Sequence, residues 1–271
     1  MYSFDYQRPA DVAGAVRAGS AGDARFLAGG QSLVQAMRLR LSQPSALVDL
    51  AAVPGLDGVE TGPGTLRVGA MTRHSTVARS AEVARAIPAL AALAAGIGDP
   101  MVRNTGTLGG SLANADPAAC YPAGVLGLGA TLRTDRREIA ADDFFLGLFE
   151  TALQPGELIV SVEFPVPRVA AYLKFKQPAS RFAIVGVFVS DGPAGPRVAV
   201  TGAKACAFRW TAAERALSAG GWSPGSLDGL ALADTDLNAD LHASAAYRAS
   251  LVATLARRAV AASLAPPPPA A

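Results

Sequence analysis

Cysteine and histidine are scarce. Cys120, Cys206, His74 and His242 are the only four in 271 residues. An iron–sulfur cluster ordinarily takes four thiolates and a zinc site four Cys, His or carboxylate ligands, so this chain cannot by itself hold a typical cluster of either kind. The two cysteines lie far apart and no CxxC occurs, which excludes a dithiol redox centre. Redox chemistry here needs an organic cofactor or a partner. Charge of one sign is lacking too. The 24 Lys and Arg face 22 Asp and Glu, a net charge of +2, and this predicts no nucleic-acid-binding stripe. No apolar run reaches the roughly 18 to 20 residues that span a bilayer. Met1–Pro9 (MYSFDYQRP) carries no apolar leader, so the expectation is a cytoplasmic protein with no integral membrane segment. What is present in quantity is apolar surface, 51% of residues, mostly Ala and short Val/Leu runs. At roughly 100 to 200 residues per domain the length predicts two domains with full cores.

The N-terminal pattern is compact. Arg25 to Ala28 reads as a short buried strand entering the turn Gly29-Gly30, and Leu33, Ala36, Met37 and Leu41 then recur at helical spacing, with Ser32 placed as N-cap. Ala46 to Leu50 reads as the next buried strand, and strand, helix, strand in this order favours parallel pairing. A further strand begins at Thr65. Helical pattern covers Thr76 to Ala94, broken at Pro88, followed by a Gly-rich segment and an apolar run, Val125 to Leu132. Pro165-Val166-Pro167 is the best domain boundary, because two prolines in three residues favour an extended connector. Beyond it, Ala183 to Ser190 and Arg197 to Thr201 read as paired strands, with helices at Thr211 to Ala219 and Ala243 to Ala262. The tail, residues 265–271, is Pro-rich and expected to be disordered.

Two segments could carry chemistry. In Ala28 to Ser32 (AGGQS) paired glycines let the backbone approach a ligand, and amides at the helix start can donate to an anion. In Asn104 to Asn114 (NTGTLGGSLAN), read as a loop, successive amides can form an anion nest with hydroxyls from Thr107 and Ser111. A bulge at a barrel corner is the structural alternative for Gly109-Gly110. Neither is a P-loop or a GxGxxG fingerprint. Two separate small-residue segments suit a pyrophosphate held from two sides. His74 and His242 read as surface or capping residues, and Asp142-Asp143 as a helix cap rather than catalytic carboxylates. Cys206 reads as a small hydrophobe. Arg38, Arg40 and Arg103 are candidates for sensing phosphate charge.

AGGQSLVQAMRLR (28–40) and IGDPMVRNTGTLGGSLANADPAA (97–119) resemble the two FAD-binding signatures of the medium, flavin subunit of the molybdenum hydroxylases, the aerobic carbon monoxide dehydrogenase and xanthine dehydrogenase family. VGAMTRHSTVA (68–78), YLKFKQPASRFAIVGVFV (172–189) and SAAYRASLVATLARRAV (244–260) resemble it as well, so the likeness runs over nearly the whole chain. It implies an α+β fold: a vanillyl-alcohol-oxidase (PCMH) type FAD-binding domain at residues 1–167, made of two α/β subdomains (about 1–55 and 56–167). A smaller α/β domain of the carbon monoxide dehydrogenase flavoprotein C-terminal type would follow at 168–264.

The resemblance also implies a site. Ala28, Gly29, Gly30, Gln31, Ser32 and Leu33 match the first pyrophosphate segment; Thr107, Gly109, Gly110 and Ser111 match the second, with Asp116 adjoining. Ile97, Ile159 and Lys176 match further cofactor contacts, and Phe182 is a candidate flavin neighbour. Cys120 stands where many relatives carry an acid, and Arg181 where an Asp is frequent. The implied role is an FAD-binding electron relay. A small subunit with two iron–sulfur clusters and a large molybdopterin subunit would complete it as a dimer of heterotrimers, passing electrons to an external acceptor. A self-contained flavin oxidase or reductase, a subunit that has lost FAD and a simple nucleotide-binding module are the competing readings.

Overall fold

A computed structural model describes residues 1–265. Residues 266–271, all but the first residue of the expected Pro-rich tail, lie outside the described residues.

The chain opens with β1 (Asp5–Gln7), α1 (Val12–Gly19), β2 (Ala24–Leu27), α2 (Leu33–Arg38) and β3 (Ala46–Asp49). These strands form a three-stranded sheet in the order β1-β3-β2, parallel throughout as the strand, helix, strand pattern predicts. The central strand β3 is buried at all four positions. Asp11 caps α1, accepting from the Gly14 amide at 2.6 Å. Ala15 of α1 then packs with Val48, Leu50 and Val53 in a small core of its own.

Next come β4 (Val59–Gly62), β5 (Thr65–Gly69), and six helices: α3 (His74–Arg79), α4 (Ala81–Ala86), α5 (Pro88–Ala95), α6 (Pro100–Thr105), α7 (Leu108–Asn114) and α8 (Cys120–Leu128). The helical pattern expected at 76–94 breaks at Ile87-Pro88 as the proline predicts, and a second break, not expected, falls at Ser80, which caps α4 through the Val83 amide, so the stretch is three helices. The segment expected as a loop at 104–114 is mostly helical, with only Gly106-Thr107 between α6 and α7. The apolar run at 125–132 splits between the end of α8 and a strand. β6 (Thr131–Thr134), β7 (Glu138–Ala140), the hairpin β8 (Phe145–Gly147) with β9 (Glu150–Thr151), and β10 (Ile159–Pro165) follow. A five-stranded antiparallel sheet, β4-β5-β10-β6-β7, results.

The last part holds β11 (Val169–Lys176), β12 (Ala183–Gly192), β13 (Gly195–Thr201), β14 (Phe208–Arg209), α9 (Thr211–Gly220) and α10 (Ala245–Leu264), with the strands in one antiparallel sheet in chain order. The turn Gly192 to Gly195 joins β12 to β13 in the register expected for paired strands. Strand β12 is buried from Ala183 to Ser190 because both of its faces are covered. Val185, Val187 and Val189 enter the core shared with α9 and α10, while Phe188 points the other way into the core of the preceding sheet and its helices. Helix α8, buried at all nine positions, lies in that second core, and a side chain on Gly127 would collide with the Phe188 ring at 2.6 Å. Among the described residues no helix is long and apolar enough to cross a membrane.

Candidate functional site

The two glycine segments, more than seventy residues apart in sequence, meet in space. Gly29 lies so close to the second segment that a Cβ there would sit 2.1 Å from the Thr105 carbonyl oxygen and 2.7 Å from Gly106 Cα. Only glycine permits that approach. Gln31 Nε2 donates to Thr105 Oγ1 at 2.7 Å, which fastens the contact. Ala28 in turn faces Gly110, whose missing side chain would meet the Ala28 methyl at 3.3 Å.

Amide accounting separates the two segments. Among the described residues nothing accepts from the amides of Gly29, Gly30, Gln31, Ser32 or Leu33. Ser32 holds the N-cap position, as its place in the sequence suggests, yet its hydroxyl makes no capping bond. Gly30, with φ +68°, supplies the left-handed turn that brings this run about. Five successive free amides and a free hydroxyl form a donor surface for an anion. The second segment is the opposite, and the expected nest is absent there. Leu108 N–H donates to Thr72 O, Gly109 N–H to Ala70 O, and Ser111 N–H to Thr107 O. Gly110 N–H donates to Thr107 Oγ1. The glycines of this segment serve close packing instead: a Cβ on Gly109 would lie 2.6 Å from that of Ala70. Thr107, buried as the cap of α7, accepts through its hydroxyl and keeps its proton for another acceptor.

Beside this junction lies a second cluster. Helix α6 runs from it over six residues, about 9 Å at 1.5 Å per residue, and none of those residues is buried. At its far end stand Ile97 and Gly98, and across from them the turn Gln177 to Phe182 that joins β11 to β12. Lys174 Nζ donates to Gly96 O (2.7 Å) and Arg181 O (2.9 Å) and lies 3.3 Å from Cys120 Sγ. Arg103 donates to Ile97 O and Gly98 O rather than standing free as a phosphate sensor. Arg181 donates to Gly98 O at 3.3 Å. Phe182 is 48% exposed, a ring with an open face. Asp116 holds the Ala118 amide at 2.8 Å, and burial pushes its carboxyl pKa up.

Other expected residues sit differently. Ile159 begins β10 and is buried in the core, though its neighbour Val160 accepts from the same Ala70 that packs on Gly109. Lys176 is exposed at the end of β11, paired with Ala183, whose amide donates to Ala118 O. Arg40 lies over the Tyr2 ring. His242 is exposed as expected, but His74 is not a surface histidine. It is buried against Gly106 and 5.3 Å from the Tyr121 ring, with Nδ1 unpartnered. Burial and the nearby Arg103 cation push its pKa down to about 4. Lys174 escaped the sequence reading, although a signal exists: it continues the inward face of β11 after Ala170 and Tyr172, where a lysine is costly without partners.

Residues 2–167 match the family model described as the FAD binding domain in molybdopterin dehydrogenase. The chain belongs to that family. It is 36% identical to the nicotine 6-hydroxylase medium subunit of Paenarthrobacter nicotinovorans, over 88% of this chain and 89% of that one. The carbon monoxide dehydrogenase medium chain of Hydrogenophaga pseudoflava is 32% identical over 95% and 96% of the two chains. The fold matches that of a chain in the reconstituted CO dehydrogenase from Oligotropha carboxidovorans, with a TM-score of 0.91 at 32% identity, covering 97% and 98% of the two chains. The α+β architecture of FAD domain and smaller C-terminal unit is therefore that of the family, and the chain is an oxidoreductase subunit with an FAD-binding domain. The glycine junction fits a dinucleotide cofactor on its own chemistry, since free amides lie against a wall that side chains would fill.

Proposed function

We propose that this chain is the FAD-carrying relay of a molybdenum hydroxylase complex, taking electrons from iron–sulfur clusters of a partner and delivering them to an external acceptor. The run of free amides from Gly29 to Leu33, closed by the glycine contact with Thr105 and Gly106, carries the reading. Those amides and the Ser32 hydroxyl would hold the cofactor's diphosphate from one side. Thr107 and Ser111 would hold it from the other, where Ala28, Gly109 and Gly110 keep the approach short. Gln31 acts by fastening the two segments. Asp116 lies beside the second segment, and the ring would lie at the far end of α6, between Ile97 and Phe182. Lys176 would contact the cofactor from the end of β11, and Ile159 would act through the strand beneath Gly109.

Bound FAD takes electrons singly and passes them on as a pair, which a link between one-electron clusters and an acceptor requires. The two cysteines fall short of the four thiolates an iron–sulfur cluster ordinarily takes, which supports placing the clusters in a partner. We assign the clusters to a small iron–sulfur subunit, with a large molybdopterin subunit completing a dimer of heterotrimers. The relatives' names as medium subunit or medium chain support such company. Two free cysteines fit a reducing cytoplasm. We divide the chain at 1–167, with subdomains at about 1–55 and 56–167, and 168–264, a division supported by the separate three-, five- and four-stranded sheets. Purified full-length chain should show oxidised-flavin absorption, and the complex recovered with its partners should contain iron, sulfide and molybdenum while the chain alone contains none. A colourless complex that still turns over its substrate would overturn the proposal.

A further inference from the structure

The segment Gly96 to Gly98 is held in an unusual way. Each of its three carbonyls accepts from a cation, and the three cations come from three different parts of the chain: Lys174 on Gly96, Arg103 on Ile97 and Gly98, Arg181 on Gly98. Gly98 has φ +46°, and across the gap Arg181 has φ +64°, a conformation that a side-chain-bearing residue adopts at a cost. Lys174 reaches both sides of the gap, beside the Arg181–Gly98 contact that also spans it. Its ammonium bonds Gly96 O on one side and Arg181 O on the other, and its remaining side meets the Cys120 thiol. Among the described residues no carboxylate forms a salt bridge with it. A half-buried lysine with no acid beside it is normally unfavourable. Here it is spent on joining two backbones.

We propose that Lys174 is a positioning residue for the cofactor ring. It locks the turn that carries Phe182 onto the segment that carries Ile97, and so fixes the distance between the two apolar walls. The inference rests on the reading of this groove as the FAD site. Without the ammonium, Arg181 O and Gly96 O lose their shared donor and the strained turn relaxes. Phe182, half-exposed already, then drifts from its place opposite Ile97. The Cys120 position fits this role, since an acid there would draw the ammonium away from the carbonyls.

A double-mutant cycle on FAD-depleted full-length chain, titrated with FAD and read by flavin fluorescence, tests it. Lys174→Met should raise the FAD dissociation constant about tenfold, the equivalent of one good contact. Phe182→Ala should do the same, and the double variant should be no weaker than the worse single one, because Lys174 acts through the Phe182 turn. Unchanged affinity in Lys174→Met, or effects that multiply in the double variant, would overturn the assignment. Should Lys174→Met fail to fold, Lys174→Arg supplies the same cycle, with the charge kept and the three-way geometry lost. A wild-type chain that takes up no FAD sinks the cofactor reading and this inference with it; wild-type uptake with an unaffected lysine variant sinks this inference alone.

Discussion

Gly29 and Gly110 differ in what a side chain would strike. At Gly29 the obstacle is backbone, the Thr105 carbonyl at 2.1 Å, which cannot rotate away. At Gly110 it is the Thr107 hydroxyl at 2.8 Å and the Ala28 methyl at 3.3 Å, beside the space assigned to a phosphate. Gly29→Ala should therefore separate the two segments and cost about 1 to 3 kcal/mol of stability as overpacking does, read by urea unfolding. Gly110→Val should fold with a smaller loss and emerge without flavin, read by its absorption spectrum; a yellow Gly110→Val protein would remove the second segment from the site. Both glycine pairs were legible in the sequence, but their division of labour was not. Whether an amide is free depends on acceptors far along the chain, and Ala70 O and Thr72 O occupy those of Gly109 and Leu108. His74 was misread for a related reason. Its burial comes from Gly106 and Tyr121, contacts that no local pattern announces.

At the scale of elements, legibility followed periodicity. The apolar run of β12 and the helical spacing of α10 survive because their burial is set by the sheet and the helix face themselves. Helices α6 and α7 were hidden by Gly, Asn and Thr, weak helix formers that tertiary packing and the caps Asp99 and Thr107 override. The join between α10 and the last sheet gives a test at this scale. Arg248, 4% exposed, donates to Ile184 O and, at 2.8 Å, to Gly202 O, and pairs with Asp240 at 2.7 Å. Arg248→Met keeps much of the bulk and strands two buried carbonyls. It should lower the free energy of unfolding by roughly 2 to 4 kcal/mol, measured by denaturant titration. A change below about 0.5 kcal/mol, the usual range for surface substitutions, would mean that helix and sheet hold together by apolar packing alone.

Over the whole molecule, balanced charge makes general repulsion weak near neutrality, so the response to acid is set by a few buried groups. His74 has its pKa lowered from 6.5 to about 4 in the fold. The unfolded chain therefore binds the extra proton first, and stability falls as the pH drops from 6.5 towards 4, by roughly 3 kcal/mol at about 1.4 kcal/mol per pH unit. Glu157 extends the loss. Its hydrogen bond with Arg137, together with the Gln154 amide and the Thr134 hydroxyl, holds its pKa down to about 2 from 4.5, so its contribution is lost as the pH falls from 4.5 through 2. Asp116 acts in the opposite sense, since burial raises its pKa and the fold takes up its proton more readily. Chemical unfolding of the full-length chain should then show stability level above pH 6.5 and declining below it. In His74→Gln the absolute stability can fall, but most of the slope between pH 6.5 and 4.5 should disappear, because the other groups that gain a proton on unfolding, Glu157 foremost, do so mainly at and below pH 4.5. A slope preserved in that variant would show that histidine to be exposed or already charged in the folded protein, and would undo the packing of the α3 entry against Gly106 on which the glycine junction rests.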